Sequence, residues 1–291
     1  MPETMPTVAI LTALSLEYEA VLKHLTDVEK REHRRGTRAR LGRLPGTPWR
    51  IALVNMGEGT LTAASLTERV LSWLEPEAVF FVGVAGGLKD DIQIGDVVVA
   101  SKVYAIHGGK QTPDGFLYRP EAWRAPHRLE QAAKDALGDK AHFKPIAVGD
   151  VVLADSESEF ARHIRTSYND AVAIEMEGAG VAHAAHLAGE SALIIRGISD
   201  KANPDKSTED AGGSQPRAAA NAARAAVAVL HELQPKATAS QPRDSDPRER
   251  PFRSSTDAPT YGGDHIDFRG STFPGPFTAK SVGQPPQGDG Q

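Results

Sequence analysis

Five short stretches of this 291-residue chain place carboxylates, an arginine and glycine turns close together, and these residue types can bind and cleave a small polar substrate. They are Ala13-Leu14-Ser15-Leu16-Glu17, Gly57-Glu58-Gly59, Gly83-Val84-Ala85-Gly86-Gly87, Glu175-Met176-Glu177-Gly178 and Arg196-Gly197-Ile198-Ser199-Asp200. A carboxyl group can give or take a proton in a transition state, and a glycine lets a ligand approach the backbone. Taken singly, each stretch has an ordinary explanation: a glycine after a strand permits a tight turn, and an acidic residue at a helix start caps it. The five together, in this order, are much more specific. The chain has no cysteine, which excludes disulfides, thiolate nucleophiles and Cys-ligated zinc, and fits a reducing cytoplasm.

The elements that must position these residues alternate between strand and helix. Thr7 to Leu14 predicts a buried strand, and Leu16 to Leu25 a helix. Arg38 to Leu44 and Trp49 to Met56 predict strands joined by a Pro45-Gly46 turn, and Thr60 to Leu74 a helix that must end before Pro76. Ala78 to Val84 is a continuous apolar run of the kind covered on both faces, ending in an Ala85-Gly86-Gly87 turn. Further strands are expected at Asp96 to Ser101, Lys144 to Leu153, Ala171 to Ile174 and Ala192 to Ile198. Further helices are expected at Pro120 to Leu137, Ser156 to Arg165, Glu177 to Leu187 and Arg217 to Leu233. This order predicts an α/β domain, a largely buried sheet with helices on both faces, over residues 1–234. In such sheets ligands collect beyond the carboxyl ends of the strands, where the five stretches fall.

The series AL-x-x-E, G-x-G, G-x-AGGL with a following IGDVVV, EMEG-x-G-x-AH and R-x-ISD resembles the purine nucleoside phosphorylase/uridine phosphorylase superfamily, and within it the methylthioadenosine/S-adenosylhomocysteine nucleosidase branch. The similarity runs from about Val8 to Leu233. It implies a three-layer α/β/α domain with a mixed central sheet, and hydrolysis of the N-glycosidic bond of a purine (adenine) nucleoside or nucleotide without a cofactor. That reaction passes through a ribosyl cation, so the base must be protonated, a nucleophile delivered and the sugar held. By resemblance Asp200 is the general acid at N7 of the base, a role helped by partial burial, and Glu17 activates the attacking water. Glu177 accepts hydrogen bonds from the two ribose hydroxyls, Met176 packs on the sugar, Arg196 supplies a cation near the water or anion site, and Gly86 lines the pocket. A homo-oligomer is also implied by the resemblance.

Three departures from that branch fall on specificity. Val84 replaces a small hydroxyl residue, Val152 stands where relatives place an aromatic ring against the purine, and Glu58 replaces an apolar residue facing the thioether. A carboxylate is a poor lining for an S-methyl group, so a nucleoside 5′-phosphate or ATP stays open as substrate, with Lys89, His107, Lys110, Lys201 and Lys206 as candidate phosphate contacts. Phosphorolysis needs a cationic phosphate site, and the Glu58 turn is acidic, so hydrolysis is preferred to the phosphorolytic alternative. A non-catalytic nucleotide-sensing module is a further alternative, against which the combination of Glu17, Glu177 and Asp200 argues. His183 and His186, three apart on a helix, lack companion ligands, so no metal is expected.

The formal net charge of −5 gives no general attraction to nucleic acid or membrane. The one basic run, Lys30 to Arg35, fits a solvated loop or strand edge. No apolar stretch is long enough to span a bilayer, and the N-terminus lacks the pattern of a signal peptide. Residues 235–263 are rich in Pro, Ser, Asp and Arg and are expected to be a disordered linker. Residues 264–291 regain aromatic content with Phe268, Phe273 and Phe277; together with Phe252 in the preceding stretch, four of the nine phenylalanines lie in the last 40 residues. The run HIDFRGSTFPGPF resembles the short amyloid-type signalling motifs of bacterial immune effectors and their NLR-like partners, implying an effector for antiviral defence triggered by tail-templated clustering.

Overall fold

The computed structural model describes residues 5–113, 115–203 and 213–236. Almost all of the expected linker, and the whole C-terminal motif, lie outside the described residues.

Twelve strands and six α-helices are described, beginning with β1 (Thr7–Thr12), α1 (Ser15–Leu22), β2 (Thr26–Glu32), β3 (Arg38–Arg43), β4 (Arg50–Asn55), α2 (Thr60–Leu74) and β5 (Ala78–Gly87). There follow β6 (Val97–Ala105), β7 (Gly109–Thr112), β8 (Gly115–Tyr118), β9 (Glu121–Arg124), α3 (His127–Leu137) and β10 (His142–Val148). The domain closes with α4 (Glu159–Ser167), β11 (Ala173–Glu175), α5 (Gly178–Leu187), β12 (Ala192–Asp200) and α6 (Ser214–Glu232).

The main sheet runs β11-β10-β6-β12-β5-β1-β4-β3-β2 and is mixed. β1 is parallel to β4 and β5, and β12 is parallel to β5 but antiparallel to β6. β11 also pairs back onto β5, antiparallel, with Ile174 opposite Gly86 and Ala173 opposite Gly87. That second pairing curls half of the sheet into a closed ring and brings the ends of β5, β11 and β12 together.

Alternation along the strands divides the core. Val8, Ile10, Phe80 and Val82 face one layer, packed with α1, α3 and α6 residues such as Val21, Leu129 and Ala222. Ala9, Leu11, Val79 and Phe81 face the other, packed with Ala63 and Val70 of α2 and Val181 of α5. Small residues let the layers approach: a Cβ on Gly197 of β12 would lie 2.0 Å from the Ala218 carbonyl of α6, and one on Gly180 of α5 would lie 2.3 Å from the Thr60 carbonyl of α2. Fully buried Trp49 ties down the end of α6, its Nε1 donating to the carbonyls of Leu230 (3.1 Å) and Leu233 (3.0 Å).

Several expectations are corrected. The helix expected from Pro120 begins only at His127; Glu121–Arg124 is instead β9, with Trp123 paired opposite Val103 of β6. Pro126 separates the two elements. Ala85-Gly86-Gly87 is the end of β5 rather than a turn, because β12 and β11 pair with it there. β10 stops at Val148 instead of running to Leu153. Strand β2, exposed along its whole length, and the β7–β8 hairpin have no counterpart in the expected elements. The basic run straddles the end of β2 and the turn into β3, in keeping with a solvated strand edge.

Candidate active site

The carboxyl ends of β1, β5, β11 and β12 converge on a cavity of about 180 Å³. Its wall takes Leu14 and Glu17 from the β1–α1 turn, Val84 to Gly86 from β5, Glu175 to Glu177 from the β11–α5 junction, and Ser199 and Asp200 from β12. Val151 to Leu153 follow β10, and Glu58 precedes α2. Of the residues expected at a site, Glu17, Glu58, Gly86, Val152, Met176, Glu177 and Asp200 all line this one cavity.

Glu17 is 2% exposed, and its carboxylate is held by three backbone donors. Oε2 accepts from the N–H groups of Ala13 and Leu14, both at 2.9 Å, and Oε1 accepts from Val84 N–H at 2.8 Å. Leu14 is the N-cap of α1 and Ala13 precedes it, so Glu17, three residues into the helix start, caps α1 with the same carboxylate that lines the cavity. Burial pushes the Glu17 carboxyl above its usual range; the positive charge of Arg196 and the backbone donors pull it back only in part. The Val84 contact comes from the main chain, so this bond to Glu17 does not depend on the side chain there. It does depend on Gly83, where a Cβ would lie 2.0 Å from Arg196 Nη1 and 2.4 Å from Glu17 Oε1.

Arg196 is 1% exposed and stands behind the cavity wall, not on it. Its Nη2 donates to Glu175 Oε2 in a buried ion pair, and the guanidinium lies 3.8 Å from the Phe81 ring centroid. Glu175 in turn accepts from Gly178 N–H at 2.8 Å and Glu177 N–H at 3.2 Å, which shapes the turn into α5. Glu177 points the other way, its Oε1 accepting from Gly59 N–H at 2.8 Å. Burial first, and the neighbouring Glu175 charge second, raise its carboxyl to about 7. Half-buried Met176 is fixed by its carbonyl, which accepts from Thr60 Oγ1 at 2.6 Å.

Asp200 is 1% exposed and oriented at both oxygens: Oδ2 accepts from Ser199 Oγ at 2.8 Å and Oδ1 from Ala202 N–H at 2.9 Å. Gly86 makes room for it, since a Cβ there would lie 2.9 Å from Oδ1. Val152 is 58% exposed at the mouth, and Glu58 is an exposed part of the rim. The expected phosphate contacts do not gather: Lys89, His107, Lys110 and Lys201 do not line the cavity, and Lys206 lies outside the described residues. Lys201 Nζ instead donates to the carbonyls of Lys89 (3.3 Å), Asp90 (3.5 Å) and Ile92. His183 packs edge-on against Trp123, with ring centroids 5.4 Å apart.

Sequence reasoning passed over the roles of Glu175, Gly83, Ser199 and Gln215. The first three lay inside the stretches singled out, but nothing local distinguishes a glutamate that faces an arginine from one that faces a ligand. Gln215, in the first turn of α6, joins the cavity only through the tertiary fold.

The fold and the ring of strand ends are those of an α/β nucleoside phosphorylase domain. Residues 7–231 match the Phosphorylase superfamily, and the chain belongs to that family. It is 29% identical over 210 residues to a 5′-methylthioadenosine/S-adenosylhomocysteine nucleosidase of Chromohalobacter salexigens, covering 69% of this chain and 87% of that protein. Among solved structures it is similar to the corresponding nucleosidase of Colwellia psychrerythraea in complex with adenine (TM-score 0.70, 26% identity, 79% of this chain and 96% of that one). It is also similar to the Neisseria meningitidis nucleosidase in complex with methylthio-immucillin-A (TM-score 0.68, 26% identity, 78% and 99%). Among the described residues no helix is long and apolar enough to cross a membrane.

Proposed function

We propose that this chain hydrolyses the N-glycosidic bond of a purine nucleoside, with adenine as the leaving base. The observation that carries this is the placement of Glu17, Glu177 and Asp200, from three separate chain segments, on one cavity of about 180 Å³. Asp200, held at both oxygens, protonates the base as the bond to the sugar breaks. Glu17 orients a water and takes its proton as the water's oxygen bonds to the anomeric carbon, and its raised proton affinity favours that step. Glu177 accepts hydrogen bonds from the ribose hydroxyls in its ionised form. The binding of adenine by the Colwellia relative supports the choice of base.

Hydrolysis is preferred to phosphorolysis because five carboxylate residues, Glu17, Glu58, Glu175, Glu177 and Asp200, line the cavity, while no lysine or arginine does among the described residues. The same charge balance favours a substrate without 5′-phosphates. The test is release of free adenine from methylthioadenosine, S-adenosylhomocysteine, adenosine, AMP and ATP, with and without phosphate. Adenine without added phosphate, abolished in a folded Asp200→Asn variant, is expected. No base from any substrate would sink the proposal; base only with phosphate would replace hydrolysis by phosphorolysis.

A second proposal rests on sequence alone: residues 264–291 act as a self-assembly segment that clusters the enzyme, as in an immune effector. Removing them should leave catalysis by the domain intact and abolish assembly. Assembly unchanged by the truncation would reject it.

A further inference from the structure

We propose that His107 is a positioning residue that holds the Gly149–Leu153 wall of the cavity by accepting a hydrogen bond. This wall supplies Val151, Val152 and Leu153 to the cavity, yet Val151 and Val152 are 46% and 58% exposed, so burial does little to fix them. It is held at its root. Gly149 N–H donates to the Glu175 carbonyl at 3.1 Å, Asp150 N–H donates to His107 Nε2 at 2.7 Å, and Thr60 N–H donates to Asp150 Oδ1 at 3.4 Å. The bond to His107 is the shortest of the three and immediately precedes the two valines.

The ring is itself fixed. It stacks on Phe160 of α4, with centroids 5.8 Å apart and planes within 9°. Gly149 lets it approach, since a Cβ there would lie 2.5 Å from Nε2. A backbone N–H can only donate, so Nε2 accepts and the ring proton sits on Nδ1. His107 thus connects α4, which is remote from the reacting groups, to the wall that faces the ligand.

The ligand-binding half of this proposal rests on the function proposed above; the half concerning the backbone does not. The test uses the full chain with His107→Phe, which keeps a ring on Phe160 but removes the acceptor, and His107→Gln, which restores a carbonyl acceptor. Amide hydrogen exchange over residues 148–153 and adenine affinity are measured, together with kcat and KM for base release. In His107→Phe exchange of that segment should quicken, and KM and the Kd for adenine should rise about 5- to 10-fold, as expected for one lost hydrogen bond, with kcat changed less than about 2-fold. His107→Gln should return both exchange and affinity toward wild type. Unchanged exchange in His107→Phe, or a glutamine variant no better than phenylalanine, would overturn the proposal. Faster exchange with unchanged adenine affinity would overturn the link to the cavity. A wild-type protein that releases no base would count against the nucleosidase function alone, since exchange would still decide the role of His107.

Discussion

Arg196, behind the cavity wall, is bound to Glu175, which lines the cavity together with Glu17 and Glu177. One buried guanidinium therefore sits among three glutamates, and only one of them is its direct hydrogen-bonded partner. A fully enclosed pair of this kind contributes little net stability when intact, but removing one member strands the other in the interior.

Arg196→Met is accordingly expected to lose about 3–5 kcal/mol of stability, measured by urea denaturation. The double variant Arg196→Met/Glu175→Leu should recover much of that loss, since no buried charge then lacks its partner. A single variant within about 1 kcal/mol of wild type would show that the pair is not enclosed as described.

Gly83→Ala should be damaging although it adds a single methyl group. Its Cβ would fall 2.0 Å from Arg196 Nη1 and 2.4 Å from Glu17 Oε1, displacing the two groups together. Overpacking of this size costs about 1–3 kcal/mol, and the displaced carboxylate should lower kcat more than 10-fold. Full activity in the alanine variant would remove Glu17 from the mechanism or show that the strand end shifts freely.

Glu177 sets a pH dependence with a definite sign. Its carboxyl is raised from 4.5 to about 7 in the folded protein, so the native state binds that proton more tightly than the unfolded chain does. The resulting stabilisation is fully present below pH 4.5 and is lost as the pH rises through about 7. Ribose binding should move oppositely, because only the ionised form accepts from both hydroxyls. Melting temperature and KM followed from pH 5 to 8 should show both trends, and Glu177→Gln should flatten the first. An equally steep stability profile in the glutamine variant would assign the titration to another group.

Glu58 is on the rim, exposed, where a methylthio group would need an apolar surface. Glu58→Met is expected to lower KM for methylthioadenosine several-fold and to leave adenosine nearly unchanged. Equal effects on the two nucleosides would move the 5′ end of the substrate away from Glu58.

Much of this protein was legible one residue at a time. The span of α2, from Thr60 to Leu74, follows from its apolar spacing and the stop before Pro76. The buried strands β5 and β12 follow from uninterrupted apolar runs. Glu17, Glu177 and Asp200 stood out through the resemblance of their short motifs to the family, and all three line one cavity. These signals are local, because helix period, proline stops and motif spacing act within a few residues. What only the tertiary structure decided are the long-range pairings. They turn Trp123 into a strand residue against β6, carry β5 through its glycines to meet β11, and place Arg196 against Glu175 behind the cavity wall. Strand pairing and ion pairing depend on which distant segment arrives, and burial then raises the proton affinity of Glu17 and Glu177.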